Sequence, residues 1–120
     1  MTTHFTLLLV AILASVETPN GIPAKPGPAG DTGRWQLTPA VRHDRAVDLR
    51  RIGKPITDEN LAIAHVVWIE HVLLKNHITP TPYTVALAWN AGIGAELRGT
   101  APARAQDFAR RVANLVESSP

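Results

Sequence analysis

The 120-residue sequence predicts an all-α fold, and three observations carry that expectation. Thr-Pro pairs at 38–39 and 81–82 couple a capping hydroxyl to a proline already set for the first helical turn. Residues 61–74 ("LAIAHVVWIEHVLL") are apolar around most of a helix circumference, the pattern of a buried helix. Near the end of the chain Ala105, Phe108, Ala109, Val112, Leu115 and Val116 recur at helical spacing, and no segment alternates as a half-buried strand would.

Taken in order, the first element is the run at 7–16, which begins Leu-Leu-Leu-Val. It is about half the roughly 20 residues a bilayer span needs, so no transmembrane helix is expected. Two readings of it stand: a first helix of the fold, or the apolar part of a signal segment over residues 1–15. The second suffers from the absence of Lys or Arg before residue 7.

Residues 19–34 ("PNGIPAKPGPAGDTGR") hold four of the ten prolines and four of the eight glycines, and read as one long loop. A loop of that length inside a small domain is expected to line a functional cleft. A second helix should open at Thr38-Pro39 and run to about Asp48, before Gly53 and Pro55 interrupt the chain. Thr57 or Asp58 can cap the long apolar helix, with Glu59 well placed in its first turn. Thr81-Pro82 should start a short helix, 83–91, that Gly92 ends. The last helix is expected over about 102–117. The sum is about five helices, one buried and central, with one long Pro/Gly-rich loop.

Length and composition bound the rest. The chain is long enough for one core, so a single domain over 1–120 is expected. An apolar fraction of 45% with 18% charged residues is a globular balance. A formal charge of +2 and a pI near 9.5 suit an acidic partner without selecting one. Without cysteine there is no disulfide framework or thiolate metal site. His65 and His71 stand six apart, on different faces of a helix, so no metal site is expected. No phosphate-binding loop, dinucleotide fingerprint or nucleophile elbow occurs, and no cofactor is expected. The Arg50-Arg51 and Arg110-Arg111 pairs make a weak nucleic-acid footprint, and no nucleic-acid partner is expected.

Chemistry concentrates in three short segments. Glu17-Thr18 follows the first apolar run, "GRWQLTP" occupies 33–39, and "ALAWNAGIG" occupies 86–94. In that order and spacing they resemble the catalytic core of the lysozyme-like lytic transglycosylases, which cut bacterial peptidoglycan. That family shows Glu-Ser at a helix end, then Gly-Leu-Met-Gln-Ile-Thr/Met-Pro, then Ala-Tyr-Asn-Ala-Gly-x-Gly. The resemblance covers most of the chain, from about Leu7 to Val116.

Taken bottom-up, a carboxyl at the end of an apolar run can be held protonated by burial, which a general acid requires. Position alone equally allows a solvent-facing Glu at a helix end. The resemblance implies that Glu17 is a single acid-then-base, with the muramyl 6-hydroxyl as nucleophile and a 1,6-anhydro product. It also places Gln36 and Asn90 on the sugar, a task that suits amides because they both donate and accept. Thr18 keeps the hydroxyl beside the acid, although a local turn bond is as open to it. Trp35 and Trp89 offer faces for pyranose rings, with a core role equally open for Trp35. If Asp31 or Asp44 activated water instead, the enzyme would be a hydrolysing lysozyme.

Phe108 stands where the family often has a Tyr whose hydroxyl reaches the acid, so a catalytically inactive glycan-binding or structural relative is the competing expectation. Tyr83 is a replacement the sequence cannot place, and Ile93 stands where Pro is frequent. The implied partner is the peptidoglycan glycan strand, met in the periplasm or outside the cell. A phage or secretion assembly is a compatible setting.

Overall fold

The computed structural model describes residues 3–19 and 30–119. Six helices and no strand occur among them: α1 (His4–Glu17), α2 (Pro39–Arg51), α3 (Asp58–Lys75), α4 (Pro82–Ala91), α5 (Ile93–Arg98) and α6 (Ala103–Glu117). The fold is all-α. The chain divides into two compact units, Thr2–His65 and Val66–Pro120, with the boundary inside α3.

In the N-terminal unit, Thr3 caps α1 by accepting from the Thr6 amide at 3.1 Å. Residues 6, 9, 10, 13 and 14 are buried, the i, i+3, i+4 stripe of an amphipathic helix. The opposite face is apolar too, and Leu7 is 48% exposed. The apolar run therefore lies inside a two-faced helix, and its C-terminal residue is Glu17. Most of the long loop, residues 20–29, falls outside the described residues. Its end is ordered by a pair of bonds between Thr32 and Leu37, each amide donating to the other's carbonyl at 3.0 Å.

Thr38 caps α2 as its sequence signal suggests, with Pro39 at the first helical position. This helix runs three residues past the expected end. It closes through Gly53 at φ +71, with Lys54 N–H on Leu49 C=O and Gly53 N–H on Arg50 C=O. Thr57 caps α3, accepting from Asn60 N–H at 3.1 Å. Leu61 and Ala62 of α3 are buried in this unit.

In the C-terminal unit α3 continues with Val66, Ile69 and Leu73 fully buried, while Leu74 is 59% exposed. Burial thus selects one stripe from a helix whose sequence is greasy nearly all round. The helix closes with His77 at φ +61, where glycine is usual. A capping box opens α4: Thr81 Oγ1 accepts from Thr84 N–H at 3.1 Å, and Thr84 Oγ1 accepts from Thr81 N–H at 2.8 Å. α4 packs on α6 and α5. Buried Ala86, Ala88, Ala105 and Ala109 keep the α4 and α6 backbones unobstructed for that approach. Gly92, at φ +90, ends α4 and leads into α5, a six-residue helix that the sequence reading leaves in a loop.

Candidate functional site

Glu17 ends α1 half-buried, and the next residue fixes the backbone there. Thr18 N–H donates to Ala14 C=O at 2.9 Å. The Thr18 hydroxyl lies 3.0 Å from Ala14 C=O and 3.2 Å from Arg34 C=O, its one proton serving either acceptor. Only 3% of Thr18 is exposed, so this hydroxyl joins α1 to the 32–37 turn and faces the interior.

The turn makes two more ties. Trp35 is 7% exposed and donates its indole N–H to Val10 C=O at 2.8 Å, seating the ring against α1. The Arg34 guanidinium stands 5.4 Å over that ring, within cation–π reach. Gln36 takes φ +50, and its side-chain amide donates to Gly33 C=O at 2.7 Å. Trp35 therefore offers little free face, and the Gln36 NH2 serves its own turn.

A pocket of about 180 Å³ lies beside this seam, lined by Leu7, Val10, Ala11 and Ala14 of α1 with Arg34, Trp35, Glu59 and Ile63. It runs along α1 upstream of Glu17, and Glu17 is not part of its wall.

Arg42, which sequence reasoning passed over, and Asp58, read there only as a possible cap, hold the turn from behind. Arg42 on α2 grips Asp58 at the start of α3 with both terminal nitrogens, Nη1–Oδ1 at 2.7 Å and Nη2–Oδ2 at 3.2 Å. Arg42 Nη2 also donates to Thr32 C=O at 2.9 Å. The hydrogen bond and charge of Arg42 lower the Asp58 carboxyl below its ordinary range, against a smaller opposing effect of burial. No spacing signal marks this pair, because the residues are sixteen apart on different helices.

Of the two carboxylates considered as a second acid, Asp31 is half-buried just before the turn and Asp44 is exposed on α2. Asp44 is close enough for its charge to act on His65. Burial, seconded by the Arg45 charge, pushes the His65 imidazole down to about 4, and Asp44 opposes them. Arg45 itself is 7% exposed and pairs with Asp48 at 3.3 Å.

In the C-terminal unit Trp89 is half-buried and Asn90 exposed, on the last turn of α4 before Gly92. Phe108 is half-buried on α6, and Tyr83 is half-buried in the first turn of α4. Glu96 on α5 was also passed over. Its Oε2 is shielded from solvent and accepts no hydrogen bond among the described residues, and burial raises its carboxyl. The signal that could have found it is its place two residues after the "ALAWNAGIG" segment.

In the N-terminal unit Thr18 and Trp35 tie the end and middle of α1 to the 32–37 turn that Gln36 closes, with Glu17 the residue before Thr18; Trp89 and Asn90 belong to the C-terminal unit. Among the described residues no group of three His, Cys, Asp or Glu could hold a metal ion, and no helix is long and apolar enough to cross a membrane. No protein-family model, curated protein or solved structure matches this chain.

Proposed function

We propose that the chain is a lysozyme-like lytic transglycosylase that cuts the β-1,4 bond between muramyl and glucosaminyl sugars of peptidoglycan. One observation carries the reading: the Thr18 hydroxyl reaches the Arg34 carbonyl at 3.2 Å, so the Glu17-Thr18 and "GRWQLTP" segments meet at the end of α1. Three short motifs in order are a pattern in sequence; two of them touching is a pattern in space.

In this reading Glu17 donates its proton to the glycosidic oxygen as the bond to the muramyl anomeric carbon breaks. The same carboxylate then takes the proton of the muramyl 6-hydroxyl, whose oxygen closes the 1,6-anhydro ring. Trp35 and Gln36 set the backbone beside the acid. The setting is the cell wall, reached alone or as part of a phage or secretion assembly.

A second reading has its own observation. With the Trp35 ring seated on α1 and the Gln36 amide turned to Gly33, the two contacts expected on the sugar side are spent inside the fold. That favours a catalytically inactive relative.

Digestion of purified cell-wall sacculi by the wild type and Glu17→Gln separates these readings. Wild type should release muropeptides ending in an anhydro sugar, lighter by one water than a reducing end, and Glu17→Gln should lose about 10²–10⁴ of the rate. Reducing ends would assign hydrolysis with Asp31 or Asp44 as second carboxylate. No release by wild type, with sacculi still bound, would establish the non-cutting relative.

A further inference from the structure

The Arg42–Asp58 pair is half-exposed, with side chains 27% and 45% accessible. Isolated exposed ion pairs usually add little to stability, and what sets this one apart is its geometry. That geometry is specific. A guanidinium is a planar fork, and gripping a carboxylate with both ends fixes its orientation as well as its position. Here the fork has a third bond, from Nη2 to Thr32 C=O, which aims it at the root of the 32–37 turn.

The turn rests directly on the pair. Gly33 sits at φ +81, and a Cβ built there would come 2.5 Å from Asp58 Oδ2 and 3.1 Å from Arg42 Nη2. From that base the Thr32–Leu37 bonds close the turn. Its next two residues reach α1, Arg34 C=O receiving the Thr18 hydroxyl and Trp35 donating to Val10 C=O. Hydrogen bonds and the backbone of the turn therefore connect Asp58 to the residue adjoining Glu17.

We infer that Arg42 and Asp58 are positioning residues for Glu17, acting through the Thr32–Leu37 turn and the Thr18 hydroxyl. The inference rests on the proposed role of Glu17 as the acid. Helix ends open locally at little free-energy cost, so a bond from the residue after the last turn to the rest of the fold steadies the backbone that carries Glu17. Thr18 supplies such a bond, and its acceptor stays in place because the turn is seated on the ion pair.

The test uses the full chain as wild type, Asp58→Asn, Arg42→Lys and, as a control, Asp107→Asn, which breaks the exposed Arg110–Asp107 pair of α6. Lysine keeps the charge of Arg42 but lacks the fork, so Arg42→Lys separates geometry from charge. Amide hydrogen exchange followed by NMR should be about tenfold faster at Thr18, Thr32 and Leu37 in both site variants, and unchanged at Leu13 and Leu49. On sacculi, kcat should fall about tenfold with KM within about twofold, while Asp107→Asn moves neither. Wild-type exchange at Thr18 and Leu37, or a uniform rise across residues 3–65, overturns the inference, as does full kcat in Asp58→Asn. If the exchange pattern appears but the wild type cuts no sacculi, the tie to Thr18 stands and the role of Glu17 as acid falls.

Discussion

His65 shows how strongly a single buried position can couple to pH. Its imidazole titrates near 4 in the folded chain and at 6.5 ordinarily, so between those values the unfolded chain binds the proton and the folded one does not. Stability therefore falls as pH drops from 6.5 toward 4, by up to about 3 kcal/mol at roughly 1.4 kcal/mol per unit, and is level above that window. Urea midpoints measured across that range should decline in the wild type and flatten in His65→Gln. An equal decline in both would assign the acid sensitivity to another group. Other single residues were legible only in part. The sequence leaves Trp35 open between sugar platform and core, and its bond to Val10 C=O decides for a buried ring.

At the scale of elements, helix starts were legible because their signals are local. Thr38-Pro39 and Thr81-Pro82 carry their own hydroxyl and preset φ, and both caps form as the pattern suggests. α5 was not legible, since six residues are too few to show a period. The close of α3 was not legible either, because His77 takes a left-handed conformation in a Schellman close, with His77 N–H on Leu74 C=O and Ile78 N–H on Leu73 C=O.

The turn at 33–36 offers a comparison at this scale. Gly53 and Gly33 both have positive φ, but a Cβ at Gly53 meets nothing within 4 Å, while one at Gly33 meets Asp58. Gly53→Ala should cost about 1 kcal/mol, the strain of a left-handed alanine. Gly33→Ala should cost about 2 kcal/mol or more, since the ion pair must also shift. Chemical denaturation gives both numbers, and equal costs would mean that the turn does not rest on the pair.

For the whole molecule, salt dependence separates the classes of partner. At +2, the chain has little field to steer it, and cleavage of sacculi should fall less than about tenfold between 50 and 200 mM salt. A protein engaging six to ten phosphates would lose roughly 10³–10⁵ in affinity over the same range. A loss of that size in binding to any polyanion would move the chain out of the glycan-cutting class and into nucleic-acid binding.

By itself the sequence determined the all-α class and the starts of α2 and α4. These follow from the period of the helix and from side chains bonding to backbone within four residues, which are properties of short stretches of chain. Tertiary structure alone decided which of the expected site residues turn inward. Thr18 spends its hydroxyl between Ala14 and Arg34, and Trp35 its indole on Val10. It also decided that Arg42 and Asp58, sixteen residues apart, grip each other beneath Gly33. The bonds from Thr18 to Arg34, from Trp35 to Val10 and from Arg42 to Asp58 join residues 16 to 25 positions apart, and their partners are chosen by how helices and turns come to rest, which no local spacing encodes.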